Sequence, residues 1–157
     1  ELTEVRIDEV LFKVMADVLK INSAYHVELN FSDLPDDDNS FLVFGNGDLL
    51  YISFKNIVEN GCKFSEDHIS MVDLSFRNDE WIIEVKNKGD VIAEQETEHI
   101  FQPFYRSPST SNIPGFGLGL ALARRIVGLH KGQIKVVSDL VSGTVFTIFL
   151  PSLKSFS

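Results

Sequence analysis

Apolar and polar positions along this chain switch repeatedly between a two-residue and a helical period, which outlines a mixed α+β fold. Thr3 to Ile7 alternates as a short strand does, and Val10, Leu11, Val14, Met15, Val18 and Leu19 then recur at helical spacing behind Asp8, a residue suited to capping. His26 to Phe31 and Phe41 to Phe44 read as strands on either side of the acidic turn Asp33-Leu34-Pro35-Asp36-Asp37-Asp38, which lacks the spacing of a calcium loop. A second helix is expected from Asp48 as its cap, with Leu49, Leu50, Ile52, Ile57 and Val58 marking the buried side. Ile69 to Phe76 and Trp81 to Val85 alternate around the polar turn Arg77-Asn78-Asp79-Glu80, as an antiparallel hairpin does. From Asn87 to Gly117 no period holds, and Ser107-Pro108-Ser109-Thr110-Ser111-Asn112 has the composition of a loop tip. A helix resumes over Gly117 to His130, stops near Gly132, and leads into the strands Gln133 to Ser138 and Thr144 to Leu150, with no internal repeat.

Composition narrows the reading. With 157 residues and 44% hydrophobic content the chain can fill one core, so a single domain over residues 1–157 is expected. A formal charge of −9 argues against a nucleic-acid partner, whose phosphates call for a basic stripe, and means that any bound polyanion needs local help. Cys62 is the sole cysteine, which excludes an internal disulfide, fits a reducing compartment, and reads most simply as a small core residue. No apolar run approaches the roughly 18 residues that span a bilayer. The first residue is Glu1 rather than methionine, which suggests a piece of a longer protein.

Three stretches carry candidate chemistry. Asn56, Asn60 and Lys63 are spaced four and three apart, so they share one helix face. Amide oxygens suit a hard cation such as Mg2+, which binds through few protein oxygens together with phosphates, and a lysine suits the phosphates themselves. Asn87 and Gly89 stand at a strand exit, where an amide can both accept from and donate to the edge of a purine; an ordinary turn has the same composition. Gly115-Phe116-Gly117-Leu118-Gly119-Leu120 closes the long loop and opens the last helix, so its backbone N–H groups and the helix dipole can meet phosphate oxygens. The same glycines would serve a hinge, and their spacing is not that of a dinucleotide fingerprint.

In this order, with His99-Ile100-Phe101-Gln102-Pro103-Phe104-Tyr105-Arg106 between the second and third stretches, the chain resembles the catalytic, ATP-binding domain of bacterial sensor histidine kinases. That superfamily includes the gyrase, heat-shock chaperone and mismatch-repair ATPases. The resemblance runs from about Thr3 to Pro151 and takes in Ser142-Gly143-Thr144 as a final glycine box. It implies the Bergerat ATP-binding fold, a two-layer α/β sandwich with a mixed sheet of about five strands, three main helices on one face, and an ATP lid over about residues 90–117. It also implies ATP and Mg2+ as cofactors. Asn60 would be the leading metal ligand with Asn56 beside it, Lys63 would reach phosphate, and Phe64 would wall the pocket. Asn87 and Gly89 would read the base, Ile92 and Thr144 would belong to the nucleotide site, Arg106 would be a phosphate contact, and Gly115, Gly117, Leu118 and Gly119 would sit by the phosphates. Phe101 and Phe104 would pack the lid onto the core.

Two departures stand out. The base-reading position, commonly aspartate in the family, is Asn87, and a second glycine is replaced by Val91, which resists positive φ. Adenine recognition should therefore persist in weaker, less selective form. Asn56 stands where the water-activating ATPases of the superfamily have a glutamate, and an amide cannot act as a general base. The resemblance thus implies phosphoryl transfer to a protein acceptor. None of His26, His68, His99 and His130 has the helical setting of a phosphoacceptor, so that residue is expected on a separate dimerisation helix pair, with a response regulator or receiver domain downstream. The whole protein would be a homodimer whose catalytic part is cytoplasmic, beneath a membrane anchor. The alternatives are a degenerate nucleotide-binding regulatory module and an anti-sigma-type serine kinase of the same fold.

Overall fold

The computed structural model describes residues 1–36, 41–105 and 118–153. Strand β1 (Thr3–Arg6) runs directly into helix α1 (Ile7–Ile21), followed by β2 (His26–Phe31), β3 (Leu42–Gly45) and helix α2 (Gly47–Phe64). Next come β4 (Ile69–Arg77) and β5 (Glu80–Asn87), two 3-10 turns (Glu94–Glu96 and His99–Phe101), helix α3 (Gly119–Leu129), and the strands β6 (Gln133–Asp139) and β7 (Gly143–Pro151).

The main sheet has five strands in the order β2-β4-β5-β7-β6; β2 and β4 are parallel, and every other pair is antiparallel. β1 and β3 form a separate antiparallel pair. Alternation decides which face is covered. Val72 and Leu74 of β4, Trp81, Ile83 and Val85 of β5, and Phe146, Ile148 and Leu150 of β7 are buried, while the residues between them are partly exposed. The buried side meets Leu11, Val14 and Val18 of α1, Leu50, Phe54, Ile57, Val58 and Cys62 of α2, and Ala123 and Val127 of α3. The result is the expected α+β two-layer sandwich with its helices on one face.

Helix starts differ from expectation. α2 is capped by Asn46, whose side-chain oxygen accepts from the Leu49 N–H at 3.0 Å, and Asp48 lies in the first turn. Both residue types cap well, and a tertiary contact selects between them: the Asn46 N–H donates to Nε2 of His130 at 3.0 Å. Asp8 likewise caps nothing; it lies inside α1 and pairs with Arg6 at 2.9 Å. A tight hairpin joins β4 to β5 through Asn78 and Asp79, both at positive φ, a conformation these two residue types tolerate.

Candidate functional site

Helix α2 brings the first stretch together. Its apolar side is anchored in the core, so Asn56, Asn60 and Lys63 share the half-buried flank. α3 runs antiparallel to α2 and is held against it by three polar rungs. At one end, His130 donates from Nδ1 to the Ile126 carbonyl at 2.8 Å, which leaves Nε2 as the acceptor for Asn46. In the middle, the Ser53 hydroxyl donates to the Ala123 carbonyl at 3.3 Å. At the other end, Nδ2 of Asn56 donates to the Gly119 carbonyl at 3.3 Å. A side chain at Gly119 would lie in contact with the Asn56 amide, so the absent Cβ leaves the α3 N-terminus open beside the Asn56 to Lys63 face. Among the described residues no side chain caps that N-terminus, and Leu118 at its boundary is exposed. Its orphan N–H groups and the dipole make the junction attractive to anions.

The second stretch closes the far side. Asn87 ends β5 and is buried beside Gly61 of α2. A side chain at Gly89 would lie 2.6 Å from the Phe64 carbonyl, and the Glu66 N–H donates to the Lys88 carbonyl at 2.7 Å. Gly89 thus allows the strand exit to pack on the end of α2; its φ is not positive, so close approach is the reason for the glycine. Gly143 does have positive φ, 74°, and packs against the Asn87 carbonyl. Thr144 pairs with Asn87 across the ladder and is likewise buried. Ile92 packs against the core and donates its N–H to the Ser138 hydroxyl at 2.9 Å.

The expected strain at Val91 is absent, because its φ is not among the positive values and its side chain is exposed. Phe101 packs as expected, buried edge-to-face on Phe146 at 6.2 Å with the Arg124 guanidinium 5.1 Å from its ring centroid. Phe104 does not: it has φ 66° and is 69% exposed, and Tyr105 joins the core margin in its place. A left-handed turn at Phe104 reverses the direction of its side chain, which spacing alone does not reveal. Lys63 lies with Nζ 5.5 Å from the Phe64 ring centroid. Arg106, Gly115 and Gly117, with the stretch 106–117 of the expected lid, lie outside the described residues. Ser138, which sequence reading did not single out, proves to be a polar neighbour of this site; its place opposite Thr144 across the β6-β7 hairpin was the signal.

The family model described as histidine kinase-, DNA gyrase B- and HSP90-like ATPase matches residues 45–154. The heme sensor protein HssS of Staphylococcus haemolyticus is 35% identical over 147 residues, covering 92% of this chain and 31% of that protein. The adaptive-response sensory kinase SasA of Prochlorococcus marinus is 37% identical over 123 residues, 76% of this chain and 31% of that protein. A solved structure of the mycobacterial sensor histidine kinase MprB superposes with a TM-score of 0.79 at 25% identity, covering 97% of this chain and 98% of that one. The chain therefore belongs to the histidine kinase-, DNA gyrase B- and HSP90-like ATPase family, and it spans about a third of the length of the curated relatives it matches.

Proposed function

We propose that this chain holds Mg-ATP and positions its γ-phosphoryl group for transfer to a histidine on a separate helical domain, as part of a sensor histidine kinase. One observation carries the reading: an amide, Asn56, rather than a carboxylate, stands where α2 meets the N-terminus of α3. An amide cannot take a proton from water, so the site suits a reaction that depends on positioning and charge neutralisation.

The donor chemistry fits a magnesium ion. Nδ2 of Asn56 is engaged by the Gly119 carbonyl, which turns Oδ1 to the other side, and Asn60 offers a second amide oxygen one turn along. Asn60 is the leading ligand with Asn56 beside it. The ion would neutralise charge on the phosphates and stabilise the transferring group. Lys63 and Arg106 hold phosphate oxygens, together with the N–H groups from Gly115, Gly117, Leu118 and Gly119. Phe64 walls the pocket, and Asn87, Gly89, Ile92 and Thr144 line the base. In the cell the domain works in the cytoplasm, with its own dimerisation and phosphoacceptor helices as first partner and a response regulator as second.

Asn87 favours a second reading, a regulatory module that binds nucleotide without transferring it, because the neutral amide forgoes a charge-assisted bond to adenine. The same assay separates the readings. With labelled ATP and a supplied acceptor helix pair, we expect acid-labile label on the acceptor histidine. ATP binding without transfer would leave the regulatory module, and acid-stable label on serine would favour the serine-kinase reading.

A further inference from the structure

Asn87, Thr144 and Ser138 form a polar row across three neighbouring strands. Thr144 is the direct partner of both Asn87 on β5 and Ser138 on β6, so all three side chains stand on the helix-covered face of the sheet. The Ser138 and Thr144 hydroxyls are 2.8 Å apart, and the Ile92 N–H donates to the same Ser138 oxygen at 2.9 Å. Ser138 therefore touches two things at once: the hydroxyl of Thr144, the ladder partner of Asn87, and the backbone of the segment leaving β5. The second link spans 46 residues of sequence.

We infer that Ser138 is a positioning residue for the nucleotide base, orienting the Thr144 hydroxyl beside Asn87 and pinning the backbone at Ile92. A hydroxyl carries one donor and two acceptor sites. With one acceptor site of Ser138 taken by the Ile92 N–H, its own proton is available for the Thr144 oxygen. Thr144 is then left with its proton to present along the row toward Asn87 and a purine edge. This inference rests on the base pocket proposed above. It adds that part of the discrimination between adenine and guanine is set by a residue outside the base-lining set. Such a role is worth having here, because Asn87 lacks the carboxylate that would otherwise fix the donor pattern unaided.

The test is calorimetric binding of Mg-ATP and Mg-GTP to the wild-type chain, Ser138→Ala and Ser138→Thr, with thermal unfolding of each in the absence of nucleotide. Ser138→Ala should weaken ATP binding by about threefold to tenfold, the range expected for one hydrogen bond, and should narrow the ATP-to-GTP preference. Ser138→Thr keeps the hydroxyl on a strand that accepts β-branched residues and should restore both. An unchanged ATP-to-GTP ratio in Ser138→Ala would overturn the inference, whether or not its melting temperature falls. Failure of the wild type to bind Mg-ATP would instead remove the nucleotide site itself, and the inference with it.

Discussion

On the proposed function, Asn87 is the residue where the demands of the fold and of the ligand would compete most directly. It is 6% exposed, between Gly61 of α2 and the β7 ladder, a position where burial penalises charge. Asn87→Asp exchanges a neutral acceptor for an ionised one, and a charge-assisted bond to an exocyclic amine is roughly twice as strong as a neutral one. The expected outcome is opposed effects. Nucleotide-free stability should fall by about 1–3 kcal/mol in urea unfolding, as a buried carboxylate lacks compensation, while Mg-ATP binds about tenfold more tightly and GTP does not. Tighter binding of both nucleotides would show that position 87 does not read the base. The residue itself was legible from its place at a strand exit. Its burial beside Gly61 and its link through Thr144 to Ser138 were not, because they depend on which strands become neighbours, and the chain carries no local mark of that order.

Helix pairing organises the next scale. α2 is held on one flank by α3 through His130, Ser53 and Asn56, and on the other by α1, where the Tyr51 hydroxyl donates to Asp17 at 2.5 Å. Burial, and then the bond to Asp17, push the Tyr51 phenol from 10.0 up to about 12. The folded pKa lies above the unfolded one, so the contribution is fully present below pH 10 and is lost as pH rises through about 12. In denaturant titrations across that window the wild type should lose stability more steeply than Tyr51→Phe, which keeps the ring under Lys13 but has no proton to lose. Parallel curves would mean that the phenol titrates alike in both states. Helices and strands were readable from periodicity because each presents one face to a common core. Helix caps were misplaced because long-range partners choose among equally good residues: His130 selects Asn46 over Asp48 as the cap of α2. The β1-β3 pair was hidden for a related reason, since its strands are separated by a helix and another strand.

At the scale of the whole molecule, the charge balance sets the condition under which a triphosphate can be held. The chain carries 23 acidic and 14 basic residues, a formal −9. Charges farther than about 8 Å are largely screened at physiological ionic strength, so binding is decided by what surrounds the phosphates locally. At the proposed site the described residues offer Lys63, the uncapped N-terminus of α3 and two neutral amides, which leaves much of a triphosphate's charge to be met by a cation. ATP binding should therefore depend on magnesium, and thermal stability reads this without any acceptor protein. At ATP one hundred times its dissociation constant, Mg-ATP should stabilise the fold by about 2.7 kcal/mol. For a chain of this size that corresponds to a rise in Tm of roughly 5–10 °C. With EDTA at the same ATP concentration, an affinity at least about tenfold weaker limits the gain to about half or less. In Asn60→Ala the magnesium and EDTA curves should nearly coincide, because the proposed leading ligand is gone while Asn56, Lys63 and the proposed base pocket remain. Equal Tm shifts with and without magnesium in the wild type would remove the cation from the site. The amide face of α2 would then have to hold phosphate directly, through the Nδ2 groups and Lys63.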